Sequence, residues 1–244
     1  KKNFKLETDN NSYIKTGNKK FSNPDKTVIF FGGSSTESAY VEELYRFPSV
    51  VERELREKTK YDVNIYNAGV SGNHSYHSFL SLVGKGINDK PDIAVLMHNI
   101  NDLAVLIRTE NYWIAPENRK LIIKINDINF KTNIKNLLKN IKNFIANNLY
   151  SYIAPKVFAK FYNPINEFSN IEIEATQINI DNVLNNFNNS ISSFVDICKR
   201  WGIEPVLMTQ SNRMNIDDPM FKIFYSEHNK RVGFKDELFI KTYH

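Results

Sequence analysis

The stretch that decides the fold is Thr27-Val-Ile-Phe-Phe-Gly-Gly-Ser-Ser-Thr-Glu-Ser38. Its first five residues strongly prefer β-strands, and they lead into a double glycine, two serines and a Thr-Glu pair that can open a helix. A buried strand that breaks on glycines and leads into a helix puts the next side chain at the carboxyl edge of a sheet, where open α/β sheets bind ligands. The pattern predicts that Ser34 lies exposed at such an edge. A glycine-broken turn without any chemistry is the alternative.

Three further segments predict strands, at residues 63–67, 91–97 and 204–209. The run at 91–97 is continuously apolar, which is typical of a strand covered on both faces. Helical spacing of apolar residues predicts a helix over 180–200, ended by a glycine, and a second helix over 37–59. Strands that alternate with helices predict an α/β protein with a parallel sheet and helices on both faces.

The helix at 37–59 has a proline, Pro48, near a predicted break. Its apolar stripe is predicted from Val50, Val51 and Leu55. Its charged residues are predicted to face solvent; they are Glu52, Arg53, Glu54 and Lys58.

The predicted domain spans residues 27–244 and follows a loose polar arm, residues 1–26. An insertion at about 110–178 separates the third and fourth strands and contains an amphipathic helix at 131–153. An extra helical layer packed on the core is the first interpretation. A lid over the active site and a basic surface lying on a membrane are the alternatives. Residues 210–244 are predicted to form a loop and the start of a further helix.

Composition excludes several classes of function. The net charge is +5 and the sequence pI about 9.0, but the basic residues are dispersed among Asn and Ile, so no nucleic-acid partner is predicted. The single cysteine, Cys198, forms no internal disulfide and is predicted to lie in the core. No apolar run is long enough to span a bilayer, and no signal-peptide pattern occurs. No spacing of His, Asp and Glu suggests a metal site, and no cofactor is predicted.

The first three strands each end in a glycine or polar loop at one edge of the predicted sheet. These loops supply Ser34, Gly72 and Asn101. Acyl transfer needs a hydroxyl nucleophile and donors aimed at the oxygen that becomes negative in the tetrahedral intermediate. The N–H groups of Ser34 and Gly72, together with the side-chain amide of Asn101, would form a three-donor oxyanion hole.

These motifs resemble the first three blocks of the SGNH (GDSL-type) hydrolase family: Gly32-Gly33-Ser34, Gly72 within Asn67-Ala-Gly-Val-Ser-Gly-Asn73, and Asn101-Asp102 after a buried strand. The resemblance covers roughly residues 27–105. It implies a flavodoxin-like three-layer α/β/α sandwich and hydrolysis or transfer of ester-linked acyl groups. It also assigns the nucleophile role to Ser34 and oxyanion roles to Gly72 and Asn101.

The chain departs from the family pattern at three places. Gly33 stands where the family's name motif has Asp, and Asn99-Ile100 replaces the glycines that often precede the third-block Asn. The family's fourth block is Asp-x-x-His, which supplies the general base. The five histidines, His74, His77, His98, His228 and His244, all lack an Asp three residues earlier. The interpretation is that this chain ends before its base.

The resulting hypothesis is a serine esterase or acyltransferase that acts on a carbohydrate or small-molecule ester, with O-acetyl groups on a carbohydrate as the first guess. The resemblance favours the cell envelope or secretion in a bacterium. The alternative is a catalytically inactive SGNH-fold binding module that lacks the base. A nucleotide-binding domain is disfavoured because Gly32-Gly33-Ser34 matches neither glycine-rich phosphate-binding spacing.

Overall fold

The computed structural model describes residues 4–114, 121 and 179–210, which contain a four-stranded parallel sheet. The strands are β1 (Lys26–Gly32), β2 (Val63–Gly69), β3 (Ile93–Met97) and β4 (Glu204–Leu207). They are arranged in the order β2-β1-β3-β4, and every neighbouring pair is parallel. The order over these four strands is that of flavodoxin-like sheets, whose switch point lies between β1 and β3. The predicted α/β class is confirmed.

Helices cover both faces of this sheet. They are α1 (Ser34–Glu37), α2 (Phe47–Thr59), α3 (Ser75–Gly84), α4 (Ile100–Thr109) and α5 (Ile180–Arg200), with short 3-10 turns at Glu43–Tyr45 and Gly86–Asp89. Val28 and Phe30 pack with side chains of α2. Ile29 and Phe31, which alternate with them along β1, pack with side chains of α3 and α5. Successive side chains of β1 therefore point to opposite faces of the sheet, and the helices on the two faces give the predicted three layers.

The predicted single helix at 37–59 is wrong. The first turn ends at Ser38, whose φ of 52° lies in the left-handed region. The long helix begins only at Phe47, with Pro48 in its first turn. Proline is well tolerated there because the first N–H groups of a helix have no intrahelical acceptor. Pro48 therefore marks the start of α2 rather than a break within it.

The polar segment before β1 is packed against the sheet rather than loose. Ile14 makes an isolated antiparallel bridge to Asn67 on β2, and Tyr13 is fully buried, with its hydroxyl donating to Asp89 at 2.5 Å. Lys85 Nζ lies 3.7 Å from the centre of the Tyr13 ring. These contacts fasten the segment along the outer side of β2, so part of that strand edge is covered.

Glu52 was predicted to face solvent, but it is fully buried, because side chains of the same segment bind it. Its carboxylate accepts hydrogen bonds from Thr16 Oγ1 at 2.8 Å and from Asn18 Nδ2 at 2.9 Å. It also pairs with Lys20 and Arg56, each at 2.7 Å. Burial lowers the pKa of Lys20, and the nearby Glu52 opposes that shift. Helical periodicity could not predict the burial of Glu52, because Thr16, Asn18 and Lys20 lie outside the helix.

The helix at 180–200 matches its prediction. Asn179 caps it by accepting hydrogen bonds from the N–H groups of Asp181 and Asn182, and Gly202, with a φ of 70°, follows its end. Cys198 is fully buried, as predicted, and burial raises the pKa of its thiol to about 11.

Several predictions fall outside the described residues. They concern the amphipathic helix at 131–153, nearly all of the insertion, and the segment after 210. The domain boundaries also remain predictions. Among the described helices, none is long and apolar enough to cross a membrane.

Candidate active site

Ser34 lies at the carboxyl end of β1, beside the switch point between β1 and β3. Its side chain is exposed, and none of the hydrogen bonds within the described residues uses its hydroxyl. The backbone at Gly33 is extended, and its carbonyl accepts from the N–H groups of Thr36 and Glu37, both at 3.0 Å. Ser34 is therefore the first residue of this turn, where an N–H group has no intrahelical acceptor.

The helix that follows Ser34 is only one turn long. It spans Ser34–Glu37, so it contributes almost no macrodipole. Negative charge beside Ser34 would have to be stabilised by individual donors. Gly69 explains why the turn can sit against the neighbouring strand. A Cβ at Gly69 would collide with the backbone of Thr36 and Glu37.

Gly72 sits in a tight turn after β2. Asn73 N–H donates to Val70 O at 3.1 Å, and Gly72 has a φ of 83°, a conformation that side chains other than glycine rarely adopt. Val70 N–H in turn donates to Gly32 O at 3.0 Å, which ties the loop to the end of β1. Among the described residues, a Cβ at Gly72 would meet nothing within 4 Å, so space lies open beside this backbone in that part of the chain.

Asn101 lies in the first turn of α4 and joins the other two loops. Its Nδ2 donates to Asn73 O at 2.7 Å, which fixes the orientation of the amide because only the nitrogen can donate. A primary amide has a second N–H, and that donor remains for another acceptor. A Cβ built on Gly33 would lie 2.5 Å from Asn101 Nδ2. Glycine before Ser34 therefore allows the Asn101 amide to approach the nucleophile loop closely.

The structure thus brings the loops of Ser34, Gly72 and Asn101 together at one edge, where the sequence placed them. Their catalytic roles remain predictions. The Asn99-Ile100 pair, which replaces the family's glycines, forms the cap and first residue of α4. Leu103 N–H donates to Asn99 O at 2.9 Å, so that loop closes directly into a helix.

Gln210, after β4, was missed by the sequence reasoning. Its Nε2 donates to Ser35 Oγ at 2.7 Å, and its Oε1 lies 3.4 Å from the N–H donor of Ile100. It therefore bridges the residue after the candidate nucleophile and the start of α4. The signal was available in principle, because residues that follow a fourth parallel strand reach the same sheet edge.

A buried polar cluster lies behind the loops. Asp102 is 1% exposed, and its Oδ1 accepts from Ser75 N–H at 2.9 Å, from the Ser75 hydroxyl, and from Tyr112 OH at 2.7 Å. Ser190 on α5 reaches Ser75 Oγ at 2.6 Å. Asp102 belongs to the Asn101-Asp102 motif, but the sequence predicted no role for it. Its partners at 75 and 112, and Ser190 beyond Ser75, meet only after folding.

His98 is buried, and each of its ring nitrogens has a partner other than Ser34. Its Nε2 is 2.7 Å from Ser78 Oγ, and its Nδ1 is 3.6 Å from Asp102 Oδ2. Burial lowers the pKa of His98, an effect that Asp102 partly opposes and His77 reinforces.

His74 is fully buried at the start of α3. Its ring packs 3.9 Å from that of His77 and 4.6 Å from that of Tyr112. His228 and His244 lie outside the described residues. Among the residues that are described, no group of three or more His, Cys, Asp or Glu side chains could hold a metal ion.

The fold and the site together define a flavodoxin-like α/β protein with an exposed serine beside its switch point. No family model and no curated protein matches the chain. Among solved structures it is similar to Axe2, an acetylxylan esterase from Geobacillus stearothermophilus. That match has 14% identity and a TM-score of 0.43, and it covers 89% of this chain and 73% of that chain.

Two other similar structures carry the family name that the sequence motifs resemble. One is AlinE4, an SGNH-hydrolase family esterase (14% identity, 88% of this chain, 76% of that chain, TM-score 0.40). The other is a putative lipolytic protein of the G-D-S-L family from Desulfitobacterium hafniense (11% identity, 86% of this chain, 75% of that chain, TM-score 0.37). Because all three TM-scores are below 0.5, the function is inferred from the site rather than from these proteins.

Proposed function

We propose that the chain hydrolyses or transfers ester-linked acyl groups through an acyl-enzyme on Ser34. The observation that carries this proposal is the Asn101 amide. It is oriented by Asn73 O at 2.7 Å and packed so closely on Gly33 that no Cβ would fit. A fixed donor beside an exposed serine hydroxyl is the arrangement that acyl transfer requires.

In the proposed reaction Ser34 Oγ attacks the ester carbonyl carbon and transfers its proton to a general base. The carbonyl oxygen becomes negative in the tetrahedral intermediate. It accepts from Ser34 N–H, Gly72 N–H and the second N–H of Asn101. The base then protonates the leaving alcohol as the carbon–oxygen bond breaks. Water or an acceptor hydroxyl attacks the acyl-enzyme in the second half, and Ser34 recovers its proton.

A serine hydroxyl needs that base to react at neutral pH. His98 does not fit the role, because one ring nitrogen is bonded to Ser78 and the other faces Asp102 in the interior. His74 is fully buried against His77 and Tyr112. We therefore assign the base to neither of these two histidines. The resemblance implies a base within an Asp-x-x-His motif, and none of the five histidines of the sequence stands in such a motif.

For the substrate we propose O-acetyl groups on a carbohydrate, with lipid or small esters second, as the resemblance implies. An envelope or secreted location in a bacterium belongs to the same proposal. So does a membrane-surface contact through the segment 131–153.

A serine-directed fluorophosphonate probe tests the assignment. The full-length, folded protein should be labelled, and labelling should disappear in Ser34→Ala but persist in Ser35→Ala. The second variant is a matched control, because it removes the adjacent exposed hydroxyl. Absence of labelling in a verified, folded chain would favour the other reading, a binding module that has this fold but no functional base.

A further inference from the structure

We propose that Asp102 is a positioning residue that holds the two oxyanion loops in register, an inference that rests on the proposed function. It works through the Asp102 cluster, which consists of Asp102, Ser75, Tyr112 and Ser190. In this role Asp102 does not touch substrate. It fixes the distance between the Gly72 turn and Asn101 from the interior side.

The chain order makes this coupling direct. Ser75 begins α3 three residues after Gly72, and Asp102 immediately follows Asn101 in the first turn of α4. Ser75 donates both its N–H, at 2.9 Å, and its hydroxyl to Asp102 Oδ1. One carboxylate oxygen therefore joins the start of α3, just after the Gly72 turn, to the start of α4, which carries Asn101. Asn101 Nδ2 to Asn73 O, at 2.7 Å, joins the same two segments on the side nearer Ser34.

Two further elements brace the cluster. Tyr112, which follows α4, donates its hydroxyl to Asp102 Oδ1 at 2.7 Å and lies 3.2 Å from Ser75 Oγ. Ser190 on α5 is fully buried and reaches Ser75 Oγ at 2.6 Å. These contacts are all satisfied if the Ser190 hydroxyl donates to Ser75 Oγ and the Ser75 hydroxyl donates to Asp102. Ser75 and Tyr112 thus bond the carboxylate directly, and Ser190 supports it through Ser75.

Burial makes the cluster rigid. Ser75, Tyr112 and Ser190 are fully buried and Asp102 is 1% exposed, so water cannot replace a bond that is lost. Burial, reinforced by the charge of Asp102, raises the pKa of Tyr112, which keeps the phenol protonated and able to donate. A purely structural cluster would share these properties. The test must therefore separate loss of stability from loss of alignment.

Single-hydroxyl variants provide that separation. Tyr112→Phe and Ser190→Ala each remove one brace and leave the carboxylate in place. Their matched controls are Tyr61→Phe, at an exposed tyrosine, and Ser193→Ala, on the same helix as Ser190. Within the described part of the chain, the Ser193 hydroxyl bonds only to Asn189 O. Hydrogen–deuterium exchange of segments 70–75 and 99–103 reports the loops directly. We expect exchange there to rise at least about fivefold in the cluster variants, with the centre of β1 unchanged.

Kinetics with p-nitrophenyl acetate give the second readout. A displacement near 1 Å in an oxyanion donor lowers turnover about 10²-fold, so Tyr112→Phe should lower kcat by about tenfold to 10²-fold with KM nearly unchanged. Asp102→Asn, which keeps an acceptor oxygen, should retain more activity than Asp102→Ala. The controls should match the parent protein.

Loop exchange that stays at the parent rate in both cluster variants would overturn the proposal, as would an unchanged kcat in an active parent. Parallel losses of kcat and of global stability in cluster and control variants alike would also overturn it. A parent protein that neither turns over nor labels would refute the esterase assignment instead. The exchange experiment would then still decide whether the cluster holds the two loops.

Discussion

Replacing Gly33 with alanine is the sharpest test of the arrangement around Ser34. The φ of Gly33 is −90°, which alanine adopts readily, so the backbone itself is not strained. The added Cβ would lie 2.5 Å from Asn101 Nδ2, whereas ordinary contacts begin near 3.4 Å. The amide would have to retreat by about 0.9 Å. Because misplacement of about 1 Å costs about 10²-fold, kcat should fall by that factor.

The assay is initial-rate hydrolysis of p-nitrophenyl acetate, with the melting temperature measured in parallel. Gly84→Ala is the matched control, since a Cβ at Gly84 meets no described atom within 4 Å. If Gly33→Ala acts through the amide, combining it with Asn101→Ala should be no worse than Asn101→Ala alone, which should itself lose about 10²- to 10³-fold. Additive losses, or a Gly33→Ala variant with parent turnover, would refute the reasoning.

Three further predictions concern stability and the neighbouring loop. Glu52→Ala should lower the free energy of unfolding in urea by up to about 3–5 kcal/mol, because it removes a fully buried carboxylate and leaves two partly buried cations unpaired. Glu54→Ala, an exposed change on the same helix, should alter it little. The pKa of His98 is lowered in the folded state, so its contribution to stability is complete above about pH 6.5 and is lost as pH falls through the folded-state pKa. His98→Gln should flatten that decline. Urea midpoints of the variant and the parent that fall in parallel at pH 7.5, 6.5 and 5.5 would contradict this. Gln210→Ala should lower kcat more than it raises KM, because losing the amide frees the Ser35 loop. Equal effects on kcat and KM would argue for a role in substrate binding instead.

Some of the site was readable in the sequence because each feature is local. A strand that ends on glycines predicts a loop at the carboxyl edge, and in a parallel sheet those edges coincide. That reasoning placed Ser34, Gly72 and Asn101 on neighbouring loops. It could have reached Gln210 by the same rule, because that residue also follows a parallel strand.

The course of the chain between 34 and 47 was less predictable. Helical spacing did not show that α1 stops after one turn or that α2 starts at Phe47. Glu52 was misassigned because a helical face with charge is normally solvated, and the partners that bury it lie more than thirty residues earlier.

The sequence by itself determined the strand–glycine–helix order, the parallel α/β class and the residues that meet at the sheet edge, because these follow from local propensity and period. Only the tertiary structure decided that Gly33 makes room for the Asn101 amide, and that Asp102 gathers partners from positions 75 and 112. Those contacts depend on distances between distant segments. They are fixed by packing of the helices on the sheet, which no single stretch of sequence specifies.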